Sequence, residues 1–176
     1  KAWKFGGGLG ANFGQVALVN WAAGGQNSIS FLLTGNAFVY YKKGKVAWDN
    51  DLSVNWGMIA QGRMRDIKNN KYPVRKNVDL LQFTSKAGYS LDKKAHWFVA
   101  GLVDFKSGLT NGWDYSSYDA DHVNGTRQRV SKFAAPAYLT TSVGVLWKPV
   151  TYFSLYVSPV AGKFTFVSPD VPGAVS

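Results

Sequence analysis

The chain has 176 residues, with 20 Lys and Arg against 10 acidic residues, which gives a formal net charge of +10. All ten acids are aspartate and cysteine is absent. The sequence therefore excludes a disulfide framework, a thiolate nucleophile, a Cys-built metal site and an HExxH metalloprotease. The length fits one domain, and 46% hydrophobic residues exclude a disordered chain. Abundant Gly and aromatic residues, without Glu, favour strands over helices.

The first two predicted elements are strands. A Gly-rich strand is predicted over residues 9–21, with Phe13, Ala17, Val19 and Trp21 on one face. The next is predicted over residues 28–41, where apolar residues recur at every second position, as in a half-buried strand. Residues 42–45 read as a tight turn, because Gly44 can adopt a positive φ.

The clearest alternation lies in residues 46–63, the third predicted strand. Further strands are predicted over residues 78–91, 97–106, 137–147 and 151–158, and residues 163–167 begin an eighth. The connections at 42–45, 92–94 and 148–150 are short, whereas those at 64–77 and 107–135 are long. Short turns at one end and long loops at the other are typical of outer-membrane barrels.

These features predict an all-β fold, an antiparallel up-and-down transmembrane β-barrel that is integral to a bacterial outer membrane. Aromatic residues near the strand ends fit interfacial girdles. The predicted lipid-facing residues are Phe31, Leu33, Val39, Trp48, Leu52, Val54, Trp56, Met58, Val99 and Val103. The predicted lumen-facing residues are Asp49, Asp51, Asn55, Arg63, Asp104 and Lys106, together with Asp79 and Lys86. A soluble β-sandwich or lipocalin-like barrel is the alternative, because alternation alone does not identify the medium on the apolar side.

Several short segments carry a resemblance to a known family. They are Trp3–Gly8, Asn12–Gln15, the Asn20-Trp21-Ala22-Ala23-Gly24-Gly25 block, Trp48–Asn50, Arg75–Asp79, Pro136–Tyr138 and Ser158–Lys163. In these segments the chain resembles an uncharacterised family of Bacteroidetes outer-membrane β-barrel proteins, a domain of unknown function. The resemblance implies a fold and a location, and no activity.

The chain is predicted to be a single barrel domain over residues 1–176 that is incomplete at its C-terminus. Seven clear strands make an odd number, whereas bacterial barrels normally have an even one. The segment after residue 168 contains prolines and glycine, which are unsuited to a closing strand. Family members also look longer. We therefore expect the N-terminal seven or eight strands of a larger barrel.

The candidate catalytic and metal-binding residues are few. His96 and His122 are the only histidines. Asp119, Asp121 and Asn124 could offer oxygen ligands to calcium, but they lack the closing acid of an EF-hand. Ser116 and Ser117 precede His122 without a nucleophile motif. The sequence therefore predicts no catalytic residue, no metal site and no cofactor.

The long connection at 64–77 is basic and suggests contact with an anion or a partner. Its candidate residues are Arg65, Lys68, Lys71, Arg75 and Lys76. Outer-membrane lipid or lipopolysaccharide and a protein partner both suit this charge. Nucleic acid is not expected, because the cations lie in turns and loops without a stacking surface.

The sequence thus predicts a non-enzymatic subunit, structural or accessory, of an envelope complex, with secretion or uptake machinery as the analogy. The alternatives are a passive pore for small solutes, a lipid-modifying barrel enzyme and a soluble β-sandwich.

Overall fold

A computed structural model describes residues 2–18, 27–62, 74–92, 96–114, 128–131, 135–150 and 152–167. These residues contain nine β-strands. In chain order they are β1 (Trp3–Val16), β2 (Asn27–Lys43), β3 (Val46–Gly62), β4 (Arg75–Ser90), β5 (Trp97–Ser107), β6 (Gly112–Asp114), β7 (Gln128–Ser131), β8 (Ala137–Val150) and β9 (Phe153–Phe166).

Seven of the strands form one antiparallel sheet in the order β1-β2-β3-β4-β5-β8-β9. The predicted all-β antiparallel meander is confirmed, because each strand pairs with the neighbour that precedes or follows it in this sheet. Over the described residues β1 and β9 do not pair with each other, so the sheet is open there. The turn between β2 and β3 contains Gly44 with φ 59°, as the sequence predicts.

The pairing register sorts the side chains of the sheet into two faces. Leu33 lies opposite Trp56, and Ala37 opposite Leu52, so the odd positions of β2 share a face with the even positions of β3. We call this the apolar face. The alternate positions, among them Asp49 opposite Lys86, form the polar face.

The prediction for the first strand is wrong in its bounds. β1 begins at Trp3 and ends at Val16, so Ala17 lies beyond it, and Val19 and Trp21 lie outside the described residues. The glycines near its start pair with β2 instead of forming a break, with Gly7 opposite Ala37. A Cβ at Gly6 would come within 2.7 Å of the Phe38 ring. Gly6 therefore gives room for an aromatic side chain of β2 to lie over the edge strand.

The two strands predicted at 151–158 and 163–167 are one continuous strand, β9. Pro159 lies inside this strand, although proline removes a ladder hydrogen bond. The strand accommodates it beside a register shift between Val143 and Val145 of β8. Ser158 Oγ lies 2.9 Å from the Val143 carbonyl oxygen and bridges the irregularity.

The long connection at 107–135, treated as a loop in the sequence prediction, contains a second, two-stranded sheet. In it β6 pairs antiparallel with β7.

The sheet curls towards its polar face. The buried residues Phe98, Ala100 and Leu146 of β5 and β8 form a small cluster, and Ala47 of β3 packs against it. β3 is two strands away from β5 and three from β8, so this packing requires strong curvature. The polar face is therefore concave, and the apolar face is convex.

Candidate functional site: the two faces of one sheet

The apolar face is exposed on every strand of the main sheet. Leu9 is 96% exposed, Leu52 38% and Val160 68%. All ten residues predicted to face lipid lie on this face by register. Within the described part of the chain, no second sheet or helix packs against them. Apart from the segment at 108–110, which contacts Asp79, the convex surface is therefore a broad layer of apolar side chains without a protein cover from those residues.

An aromatic residue of each strand lies near the short-turn end of this face. We call this set the aromatic row; its members are Trp3, Tyr41, Trp48, Tyr89, Trp97, Trp147 and Phe153. Several members of the row are in ring contact. The rings of Trp3 and Tyr41 are 4.6 Å apart, and those of Trp97 and Trp147 stack at 5.6 Å.

Two polar residues, Asn50 and Ser85, interrupt the apolar face near the aromatic row, and their side chains are hydrogen-bonded to each other. Ser85 Oγ donates to Asn50 Oδ1 at 2.8 Å and accepts from Trp48 Nε1 at 3.0 Å. Asn50 Nδ2 in turn donates to the Val39 carbonyl at 3.3 Å. The side chains thus satisfy one another locally, as a low-dielectric surrounding requires.

Asp79 marks the other limit of the apolar face on β4. The prediction that it faces the lumen is wrong, because it lies opposite Trp56 on the apolar face. The side chain is only 7% exposed and pairs with Lys76. It also accepts from the backbone N–H groups of Leu109 at 2.8 Å and Thr110 at 3.0 Å. The Asp79 carboxylate is therefore paired with a cation and hydrogen-bonded, and it holds the segment after β5 against β4.

The middle of the polar face holds groups that are paired with each other. Asp104 accepts from Gln82 and Thr84, each at 2.8 Å, and lies 3.3 Å from Lys106. Tyr40 donates its hydroxyl proton to Asp51 at 2.6 Å. These acids are neutralised or hydrogen-bonded by direct neighbours.

The short-turn half of the polar face is different, because it contains a cavity of about 350 Å³ that is rich in lysine. Lys4, Lys42, Lys86 and Lys148 line it, from four different strands. The one acid among the lining residues is Asp49, which lies 3.7 Å from Lys86. Lys148 is within electrostatic range of Lys42 and Lys86 across the curled sheet. We call this cavity the lysine cavity.

The predicted lumen-facing residues Asp49, Asp51, Asn55, Asp104 and Lys106 share the polar face, as does Lys86. Arg63 lies outside the described residues, as do Arg65, Lys68 and Lys71 of the basic connection. Of the two cations there that the structure does describe, Lys76 is held by Asp79 and Arg75 also has an interaction. Lys76 is thus not a free anion contact.

The histidine candidates are not brought into a catalytic arrangement by the described residues. His96 lies in the turn before β5, and its Nδ1 is 4.0 Å from Asp92. His122, the calcium candidates Asp119, Asp121 and Asn124, and both serines lie outside the described residues. In the ranges that are described, no three His, Cys or acidic side chains group closely enough for a metal ion. No helix there has the length and hydropathy of a membrane span.

The lysine cavity is the feature that sequence reasoning missed. Lys86 and Asp49 could be paired from the alternation of neighbouring strands. Lys148 and Lys42 belong to strands that are not neighbours, and only the curvature brings them together. No spacing in the sequence signals that meeting.

Residues 13–113 match the family model described as "Protein of unknown function (DUF3078)". The match covers more than half of the chain and spans β2 to β5 whole. The chain belongs to this family. No curated protein and no solved structure matches it.

Proposed function

We propose that this chain is part of an integral β-barrel of a bacterial outer membrane, where it serves as a non-enzymatic structural or accessory subunit of an envelope complex. The observation that carries the proposal is the exposed apolar face with its aromatic row. The Bacteroidetes setting, the secretion or uptake machinery and the partner proteins rest on analogy with the family resemblance.

The size of the exposed apolar face argues for a lipid surrounding. A soluble monomer rarely exposes an apolar patch larger than a few hundred Å². Leaving a large aliphatic or aromatic side chain in water forgoes about 1.5–3 kcal/mol relative to its burial. Every one of the seven strands carries such residues on this face. Hydrocarbon tails would cover them all at once without a second sheet.

The height of the apolar band also fits a bilayer. On β4 the band runs from Tyr89 in the aromatic row to Asp79, about ten residues away. At a rise of roughly 3.3 Å per residue and a strand tilt of about 40°, this spans about 25 Å along the membrane normal. Outer-membrane barrels carry an apolar band of about that height, with aromatic girdles at its borders.

The open edges of the sheet support a larger barrel. The outer edges of β1 and β9, each 14 residues long, have no strand partner among the described residues. In hydrocarbon each unpaired backbone group costs several kcal/mol, so an open edge cannot persist there. We therefore expect additional strands to close the sheet between β9 and β1, as in the larger barrel that the sequence predicts.

A passive pore is the second candidate, and the lysine cavity favours it. A cavity lined by charged groups on the concave face is what a water-filled lumen requires. Planar-bilayer conductance separates the candidates. A structural subunit whose lumen is filled by its own side chains gives no channel currents. A pore lined by lysines gives stepwise increases in current and conducts anions better than cations.

The proposed location is tested by fractionation of cells that express the natural protein. We expect recovery in the outer-membrane fraction, resistance to alkaline carbonate or urea extraction, and release by detergent. Recovery from aqueous buffer without detergent would favour the soluble β-sandwich and overturn the proposal. Identification of chains that co-purify after mild detergent extraction tests the part about an envelope complex.

The proposal that the chain is not an enzyme has its own test. Replacing His96 and His122 by alanine leaves the lipid A and phospholipid profiles of the cell unchanged if neither histidine takes part in lipid chemistry. A changed lipid profile at normal levels of the variant protein would support the alternative of a lipid-modifying enzyme.

A further inference from the structure

The lysine cavity holds more positive charge than its own residues balance. Among the lining residues, four ammonium groups face the single carboxylate of Asp49. Two lysines elsewhere on the same face have a local partner: Lys106 lies 3.3 Å from Asp104, and Lys163 lies over the Tyr138 ring at 5.1 Å from its centroid. Like charges gathered in a concave, partly desolvated site repel each other, and an anion bound among them would relieve that repulsion.

The lining also sets the kind of anion. Tyr40 also lines the cavity, but its hydroxyl donates its proton to Asp51 and not to a ligand. The lysine ammonium groups are therefore the donors that an anion would meet. Each ammonium offers three rotatable donors, which suits the several oxygens of a phosphate. Phe98, Ala100 and Leu146 form an apolar wall beside them. A volume of about 350 Å³ is enough for a phosphate with an attached organic group.

We propose that the lysine cavity is a binding site for an organic phosphate, held by Lys4, Lys42, Lys86 and Lys148, with its organic part against the Phe98–Leu146 wall. The site follows from the shape of the polar face and does not depend on which medium covers the apolar face. Its phosphate can belong to a soluble ester or to a lipid headgroup, because both present the same oxygens to the lysines.

The test uses the full chain purified in a zwitterionic detergent, with phenyl phosphate as the probe and phenol as its uncharged analogue. Titration calorimetry is expected to show saturable binding of phenyl phosphate that weakens as sodium chloride is raised. Phenol is expected not to bind. Equal binding of both compounds, or no binding of phenyl phosphate, would overturn the proposal.

Variants assign the binding to this cavity. Lys86→Gln and Lys148→Gln are each expected to weaken binding about tenfold, the effect of one lost charge-assisted hydrogen bond. Lys148→Arg keeps the charge and is expected to stay within about threefold. Lys106→Gln and Lys163→Gln are the matched controls on the same face, and they are expected to leave affinity unchanged. Equal losses in cavity and control variants would contradict the assignment.

Two further measurements separate a loss of binding from misfolding and identify the source of the phosphate. Far-UV circular dichroism of each variant identifies any loss caused by misfolding, and the charge-retaining Lys148→Arg then decides the question for that position. Phosphorus NMR of an organic extract of the purified protein distinguishes the two sources. A phospholipid retained in wild type and absent from Lys86→Gln indicates a headgroup, whereas its absence from wild type, with phenyl phosphate binding intact, indicates a soluble ester.

Discussion

The two faces of the sheet use the same backbone and opposite chemistry. On β3, Leu52 points to the apolar face and Ser53 to the polar face, one residue apart. Among the described residues no second sheet or helix covers the apolar face. Trp48, Asn50 and Ser85 on it bond to one another, whereas Trp56 Nε1 is buried without a hydrogen-bond partner in the described part of the chain. The polar face curls round a cavity that concentrates lysines. The contrast supports the proposal that the convex side meets an apolar medium while the concave side holds charge.

A charge placed on each face in turn gives the largest expected difference. Leu52→Lys puts an ammonium in the middle of the apolar band and is expected to destabilise the bilayer-inserted protein by about 2–4 kcal/mol. Ser53→Lys, its neighbour on the polar face, is expected to cost less than about 1 kcal/mol. Urea unfolding in phospholipid vesicles measures both. Equal costs would remove the distinction between the faces.

The border of the apolar face is tested at Asp79. Asp79→Ala strands Lys76 and removes the acceptor for the backbone N–H groups of Leu109 and Thr110. We expect a loss of about 2–3 kcal/mol in the free energy of unfolding and faster amide exchange at residues 108–110. Asp51→Ala removes one exposed hydrogen bond on the polar face and is expected to cost under about 1 kcal/mol. A larger effect at Asp51 would contradict this ranking.

The aromatic row is tested at Trp147, which contacts Trp97 at 5.6 Å and Phe153 at 6.0 Å. Trp147→Ala is expected to lower stability in vesicles by about 1–2 kcal/mol through loss of these ring pairs. Tyr152→Ala is the control, because Tyr152 is 92% exposed beside the row. Thermal unfolding followed by circular dichroism compares the two variants, and the same shift in both would argue against a specific row.

The smallest effect is expected at the turn between β4 and β5. Desolvation raises the pKa of Asp92, but hydrogen bonds from the Trp97 and His96 backbone N–H groups outweigh it and hold the pKa below its usual value. The resulting stabilisation is present above the unfolded-state pKa near 3.9 and is lost as the pH falls through the lower folded-state pKa. Asp92→Asn should therefore differ slightly from wild type at pH 7 and converge with it at acidic pH. A gap that widens on acidification would contradict the assignment.

The facing of the central strands could be predicted from the sequence, and the exceptions have physical causes. Alternation with period two is enough to place Trp48 and Asp49 on opposite faces. Asp79 follows the same alternation and lies on the face of Leu81; its assignment to the polar side by charge is wrong, because the bond to Lys76 makes a carboxylate acceptable there. The predicted strand at 151–158 stops too early, because Pro159 lies in an irregularity of the β8–β9 pairing, where a strand tolerates proline.

Of the two parts of the candidate site, the sequence predicts the apolar face but not the lysine cavity. The apolar face depends on neighbouring positions along each strand, so the sequence predicts it residue by residue. The lysine cavity depends on how far the sheet curls and on which lysines of distant strands then meet. Lys42 and Lys148 are more than 100 residues apart in the chain, and no local pattern relates them.

The most direct test of the central claim is the medium that touches Leu52. The chain has no cysteine, so Leu52→Cys accepts a single nitroxide label in the protein reconstituted into phospholipid vesicles. Collision measurements should show high access for oxygen, which concentrates in hydrocarbon, and low access for a water-soluble nickel chelate. High access for the nickel chelate would mean water at this face, and low access for both reagents would mean a protein cover; either result contradicts the account.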